Sequence, residues 1–326
     1  MTDDMGQGGP SKKAGRPDAP RWSVSDMAAA LRRKPRPGET IILVGLGLAA
    51  TVSVITTVGI VIAVLLPAID FFRAVSIKDF LTGTDWAPNF SPRSFGVLPI
   101  VSGTLVVTAI GLLVAVPFGL GAAMYLSEYA SPPVRNRLKP VLELLAGVPS
   151  VVFGFFALQF VTPIVLRKWF GIEVDFTNAL SAGIVLGVMI IPTVASLSED
   201  AMNAVPLALR QGSLAMGANR MQTTLRVVFP AAISGISAAI VLGLSRAVGE
   251  TMIVALAAGG QPNLSWDPRQ GMQTMTGFIA ATAGGENPVG SVSYNTLFAV
   301  GLLLFTMTLV INIASIALVR KLREAY

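Results

Sequence analysis

Six long stretches, each almost free of charge, decide what this chain can become: residues 41–66, 97–126, 140–166, 178–197, 231–259 and 294–319. The hydrocarbon core of a bilayer takes about 20 apolar helical residues to cross, and each stretch is long enough. The reading is all-α: a polytopic transmembrane helical bundle of six spans. Composition agrees. Of the 326 residues 53% are hydrophobic and 13% charged, with a mean hydropathy of +0.68, whereas a soluble domain carries about 25% charged residues.

Composition also removes whole classes of chemistry. The chain has no Cys and no His, so disulfides, thiolate nucleophiles, most transition-metal sites and the commonest general base are excluded. It has no Gly-x-x-x-x-Gly-Lys-Ser/Thr phosphate loop and does not bind ATP in that way. An intramembrane enzyme using Glu143 or Glu250 as an acid–base group lacks partners for the carboxylate. No cofactor is expected in this chain.

Lys and Arg in the flanks set the orientation. Residues 1–38 carry Lys12, Lys13, Arg16, Arg21, Arg32, Arg33, Lys34 and Arg36 without apolar periodicity, and read as a disordered cytoplasmic tail, with no nucleic-acid role. Segment 127–139 adds three cations, segment 198–230 three more, and the C-terminus Arg320, Lys321 and Arg323. The other side has Arg73, Lys78, Arg93, Arg167, Lys168 and Arg269. Both termini are therefore expected in the cytoplasm. The domain reading is a tail (1–38), a first transmembrane helix with its external loop (39–96), and a transport domain of five spans (97–326) with a projecting loop at 206–230. The external segments 69–96 and 260–293 read as docking surfaces or spacers.

Within the spans, small residues recur every four positions. Gly111, Ala115, Gly119 and Ala123 form one ridge, and Gly235, Ala239, Gly243 and Ala247 another; such ridges let helix backbones approach closely. Pro99 and Pro117 are expected to bend or break the second span. Pro149, with Gly147 and Gly154 nearby, predicts an irregular third span; Pro149 and Ser150 become candidates for a pathway wall, and a kink that serves packing alone is the alternative.

The fifth span carries one Arg and one Glu. Arg246 falls near its centre, where a charge costs roughly 3 kcal/mol and marks a functional site by default. Ser234, Ala238, Leu242, Arg246 and Glu250 form a row beside the small-residue ridge, about 100° around the helix. The expectation is that this row looks into the bundle and that Glu250, one turn on, pairs with Arg246. An inert pair fixing helix packing is the structural alternative. Glu143 is expected to face the cytoplasm or pair with Arg137 or Lys139, and Glu199 and Asp200 are expected to be solvated.

Before this span, 207–216 reads as a short helix behind Pro206, Gly217 as its stop, and 218–229 as a second helix with Met221, Leu225 and Val228 on one face and Gln222 and Arg226 on the other. Pro230 starts the next span. This is a rigid projecting element, not a tether.

The run from Gly217 to Val-Val-Phe-Pro at 227–230 resembles the cytoplasmic loop of ABC-importer permeases, although Gln-Gly-Ser at 211–213 stands where Glu-Ala-Ala is usual. Three further motifs are similar to the PstC family, permease subunits of phosphate-specific ABC importers. They are Leu-Ala-Gly-Val-Pro-Ser-Val-Val-Phe-Gly at 145–154, Ser-Leu-Ser-Glu-Asp-Ala at 196–201 and Leu-Ser-Arg-Ala-Val-Gly-Glu-Thr at 244–251. The resemblance implies a MetI-like fold in a bacterial plasma membrane. It implies a heterodimer with a sister permease (PstA-like), two copies of an ATP-binding subunit (PstB-like) that hold the ATP and Mg, and a phosphate-binding protein (PstS-like). It assigns Arg246 and Glu250 to the path of inorganic phosphate. It assigns Gln211, Gly217, Ala218, Met221, Leu225 and Pro230 to ATPase coupling. Sulfate or molybdate as substrate, or a membrane anchor or sensor that only recruits the ATPase, are the alternatives.

Overall fold

The computed structural model describes residues 37–285 and 287–322. The cations of the tail up to Arg36, and Arg323, lie outside the described residues. Five helices are long and apolar enough to cross a membrane: α1 (Pro37–Ala74), α3 (Leu98–Met124, prolonged by a π-helical turn Tyr125–Tyr129), α5 (Ser150–Trp169), α6 (Ala179–Asn203) and α12 (Val292–Leu322). A sixth crossing comes from α8 (Arg220–Ala231) and α9 (Ile233–Gly249), which meet at a 71° bend. The described residues also include α2 (Ile77–Thr82), the two-residue strands β1 (Trp86–Ala87) and β2 (Ser94–Phe95), α4 (Pro132–Ala146), α7 (Leu207–Ala215), α10 (Val254–Ala258) and α11 (Met275–Ala283). The chain forms two compact units, one ending at Gly59 within α1 and the other running from Ile60. The helix packing around α6 and the candidate site both belong to the second unit.

Helix α6 is the most deeply buried of the spans, and both small-residue ridges pack on it. On α3, Gly111, Ala115, Gly119 and Ala123 are all buried. A Cβ on Gly119 would lie 2.8 Å from Val194, and one on Gly187 would lie 2.6 Å from the Val114 Cβ and 2.7 Å from the Gly111 carbonyl oxygen. The two backbones leave no room for a methyl group, which is the purpose of such a ridge. On α9, a Cβ at Gly243 would sit 3.2 Å from both Ile190 and Val194, and Ala239 and Ala247 are buried. A Gly187→Leu protein should therefore lose the α3–α6 contact. Overpacking of this kind costs about 1–3 kcal/mol or more, and the check is the melting temperature of the purified protein in detergent. An unchanged value would contradict this packing.

The N-terminus of α6 is pinned by polar contacts. Asn178 caps it, its Oδ1 accepting from the Ser181 N–H at 2.7 Å. Its Nδ2 donates to Thr162 Oγ1 at 3.2 Å and to the Asp175 carbonyl at 3.0 Å. The N–H groups of Ala179 and Leu180, which a helix cannot satisfy itself, donate to the carbonyls of Gln270 and Pro268. That loop is stiffened by Arg269, whose hydrogen bonds to Asp267 hold the carboxyl below its ordinary pKa and the guanidinium above it.

The ends of the spans, and the segments between them, differ from the sequence expectation. α1 runs to Ala74, beyond the expected limit at 66. Pro99 sits in the first turn of α3, where no N–H is needed, and Pro117 lies within a helix that continues past it. The third span does not begin at Pro140. Pro140 belongs to α4, the chain breaks at 147–149, and α5 restarts at Ser150, so the irregularity foreseen at Pro149 is a gap between two helices. Asn178 caps α6 from outside, and the helix runs six residues past 197. The expected loops 69–96 and 260–293 contain α2, the β1–β2 pair and α11. An aromatic cluster explains their order. Phe71, Phe80, Phe95, Trp86 and Phe278 meet edge to face, with Trp86 and Phe278 centroids 4.8 Å apart.

Candidate functional site

The expected fifth span is not one continuous helix. α9 begins after the 71° bend and ends at Gly249, and Glu250 has extended backbone (φ −67°, ψ 133°). Glu250 therefore does not lie one helical turn beyond Arg246. Its Oε1 accepts from the N–H groups of Met252 and Ile253 at 3.1 and 3.3 Å, capping the turns that lead into α10. Its carbonyl accepts from Thr276 Oγ1 at 2.6 Å, a bond to α11. Among the described residues Arg246 has no ion pair. The expected Arg246–Glu250 pair is absent because the helix that would align them stops between them and the carboxylate is engaged by backbone N–H groups.

Arg246 instead donates from Nη1 to Thr193 Oγ1 of α6 at 3.1 Å. Arg246 lies in the last turn of α9, not at the centre of the fifth span as expected, because the helix stops at Gly249; the contact sets the guanidinium beside Thr193, the fifteenth of the 25 residues of α6. The row Ala238, Leu242 and Arg246 is exposed on the isolated chain. This chain's own helices leave that face of α9 open, while Ala239, Gly243 and Ala247 of the ridge beside it are buried. Ser245 Oγ ties α9 to α12 through Asn312 Oδ1 at 2.6 Å.

A cavity of about 180 Å³ opens between α4 and α6, lined by Lys139, Glu143, Thr193, Ser196 and Glu199 among others. Glu199 corrects the reading of a solvated charge. Its side chain is fully buried, and it accepts Arg135 Nη2 at 2.5 Å and faces Lys139 Nζ at 3.4 Å. Lys139 also reaches Asp200 at 3.2 Å. Partial burial pushes the Lys139 ammonium pKa down, but the hydrogen bond to Asp200 and the charge of Glu199 outweigh this and hold it above the ordinary lysine value. Glu143 is exposed and makes no ion pair with Arg137 or Lys139 among the described residues; Lys139 is taken by Glu199 and Asp200. Glu143 also borders a second, open groove together with Pro149, at the α4–α5 gap. Ser150 is half-buried at the start of α5.

The projecting element is built as two helices around Gly217, whose φ of +86° is the left-handed conformation that stops α7. α8 starts at Arg220, not at Ala218, because Asn219 and Gln222 form a reciprocal capping box. Ser213 and Thr223 hydroxyls join the two helices at 3.0 Å. Arg210 secures the element to the bundle through Glu128 at 3.1 Å and the Met202 carbonyl at 2.6 Å. The expected apolar face divides. Val228 is buried in a core with Ala123, Met202 and Ile236, whereas Met221, Leu225, Leu214 and Met216 are exposed. Gln211 and Pro230 are exposed and Ala218 is half-buried.

Residues 115–324 match the family described as binding-protein-dependent transport system inner membrane component. The chain belongs to this family. The match covers α6 to α9 with the projecting element, so the permease carries its family's segment where Arg246, Glu250 and Gly217 lie. Among its relatives is the probable ABC transporter permease protein YqgH of Bacillus subtilis (strain 168), 39% identical over 72% of this chain and 75% of the relative. The phosphate transport system permease protein PstC 1 of Mycobacterium tuberculosis (strain ATCC 25618 / H37Rv) is 33% identical over 74% and 81%. The PstC of Haemophilus influenzae (strain ATCC 51907 / DSM 11121 / KW20 / Rd) is 30% identical over 75% and 82%. Two solved structures share the fold. One is a bacterial alginate ABC transporter in complex with its alginate-bound periplasmic protein (TM-score 0.61, 16% identity, 85% of this chain and 93% of that chain). The other is an inward-facing MetNI methionine ABC transporter (TM-score 0.52, 23% identity, 70% and 95%). The permease is thus a multi-pass membrane protein with the MetI-like fold expected from its motifs. Glu199 escaped the sequence reading because its partners, Arg135 and Lys139, sit on another helix some 60 positions away, and no local pattern marks it as buried.

Proposed function

We propose that this permease conducts inorganic phosphate inward across the plasma membrane, with Arg246 as the cation that receives the anion at mid-depth. The supporting observation is an arginine that no carboxylate neutralises among the described residues, reaching a neutral hydroxyl at the middle of α6. A guanidinium donates two parallel hydrogen bonds to oxygens of a phosphate and keeps its charge when water is excluded. The names of its PstC relatives favour phosphate over other oxyanions. The open face of α9 is where a sister permease (PstA-like) completes the path.

In this reading both termini are cytoplasmic, by the excess of Lys and Arg on that side. Glu250, held apart from Arg246 as the cap of α10, repels the anion once it leaves the guanidinium. Pro149 and Ser150 stand at a gap that opens and closes. ATP and Mg are held by a PstB-like pair of subunits. The exposed apolar side chains of α7 and α8 enter a groove on that pair, with Gln211, Gly217, Ala218 and Pro230 setting their geometry. A phosphate-loaded PstS-like protein delivers the substrate from outside.

Vesicles containing the permease with its ATPase, sister subunit and binding protein test this. Phosphate import should require ATP and resist competition by excess sulfate or molybdate. Import of sulfate or molybdate instead would replace the substrate, and ATPase activity indifferent to loaded binding protein would remove transport altogether. A Met221→Asp, Leu225→Asp protein should lose the ATPase on co-purification, because two buried carboxylates replace the apolar contact. Undiminished co-purification would show that docking lies elsewhere.

A further inference from the structure

The cavity between α4 and α6 adjoins Arg246 through one residue. Thr193 accepts the guanidinium's hydrogen bond and also lines the cavity. Ser196 follows three positions later on the same face of α6, about 4.5 Å along its axis, and its hydroxyl makes no hydrogen bond among the described residues. Lys139 of α4 completes the donors. The volume of about 180 Å³ equals the liquid share of about six waters, enough for one small hydrated anion.

Lys139 is also the cation most able to change partners. Arg135 holds Glu199 at 2.5 Å, while Lys139 stands 3.4 Å from the other oxygen, which has no hydrogen-bond partner of its own. Its remaining contact, to Asp200, is exposed to solvent, where ion pairs are weak. A lysine ammonium is a point charge on a flexible stem with three rotatable donors. Arg135 keeps Glu199 neutralised whether or not Lys139 stays.

We propose that this cavity is a second anion station on the path, in which Lys139 and the hydroxyls of Thr193 and Ser196 take phosphate as it leaves Arg246. The inference rests on the phosphate reading above and deepens it. Glu143 and Glu199 line the same cavity. Their charges oppose a long stay, so the station passes the anion on toward the Asn203 end of α6 and does not store it. Two stops, each weaker than one deep site, let a charged substrate enter and leave.

The test uses the assembled transporter in vesicles. Lys139→Gln and Ser196→Ala should each lower the maximal phosphate import rate, Lys139→Gln at least tenfold and Ser196→Ala about threefold. Lys139→Arg, which keeps the charge, should stay within threefold of wild type. Asp200→Asn, which removes the outer ion pair of Lys139 without touching the cavity, should be near wild type. Ser196→Ala disturbs no bond of the fold, so it reports on the path even if Lys139→Gln fails to assemble. Two results overturn the station: wild-type import by both the Lys139→Gln and Ser196→Ala proteins while Arg246→Gln is inactive, or Asp200→Asn falling in step with Lys139→Gln, which makes Lys139 only a strut between α4 and α6. If the wild-type transporter imports no phosphate, the function itself is wrong and the station falls with it.

Discussion

Replacing Arg246 by Gln is expected to cut phosphate import about a hundredfold with the complex still assembled. The guanidinium is exposed and makes one hydrogen bond in the fold, to the half-buried Thr193, so the helix packing does not depend on the charge. What is lost is the contact to the anion. A hydrogen bond to a charged group is worth up to about 3 kcal/mol, and each 1.36 kcal/mol is tenfold in rate. Arg246→Lys keeps the charge and loses the fork, and should fall between the two. Glu250→Gln separates the roles of the two residues. Its amide oxygen still accepts from Met252 and Ile253 and keeps α10 capped, so any loss of import in that protein reports on the missing charge. The measurement is radiolabelled phosphate uptake normalised to assembled complex.

The largest stability effect is expected at Glu199. Its carboxylate is fully buried and is held by Arg135 and Lys139, while α4 buries no residue of its own. These ion pairs are therefore a main attachment of α4 to α6. Removing one partner of a fully buried pair costs about 3–5 kcal/mol. Arg135 and Lys139 are partly exposed and recover some hydration, so Glu199→Gln should cost roughly 2–3 kcal/mol by the same reasoning. Asp200→Asn, on an exposed pair, should cost less than about 1 kcal/mol. Thermal unfolding in detergent distinguishes them. Equal melting temperatures for the two proteins would mean that α4 is held by something else.

The parts of this molecule visible in the sequence are those fixed by local or periodic constraints. The presence of the apolar spans, the two four-residue ridges and the Gly217 stop each depend on residues close in sequence, and each has its counterpart in the fold, although the ends of the spans do not. The four-residue spacing of Arg246 and Glu250 misled because it assumed a helix running through both. No proline marks the end at Gly249; it is set by the hydrogen bonds that the Glu250 carboxylate accepts from the N–H groups of Met252 and Ile253, and by Thr276 on α11. The buried state of Glu199 depends on Arg135 and Lys139, and α11 lies in what reads as a loop because its burial comes from Trp86 and the helices around it. These are tertiary facts, and a linear pattern does not carry them.

The most direct test of the account is a structure of the intact transporter trapped with phosphate in its path. The anion should lie within hydrogen-bond distance, about 2.7–3.2 Å, of the Arg246 guanidinium, on the face of α9 covered by the sister permease. Phosphate running along another face, with Arg246 turned to lipid, would contradict it.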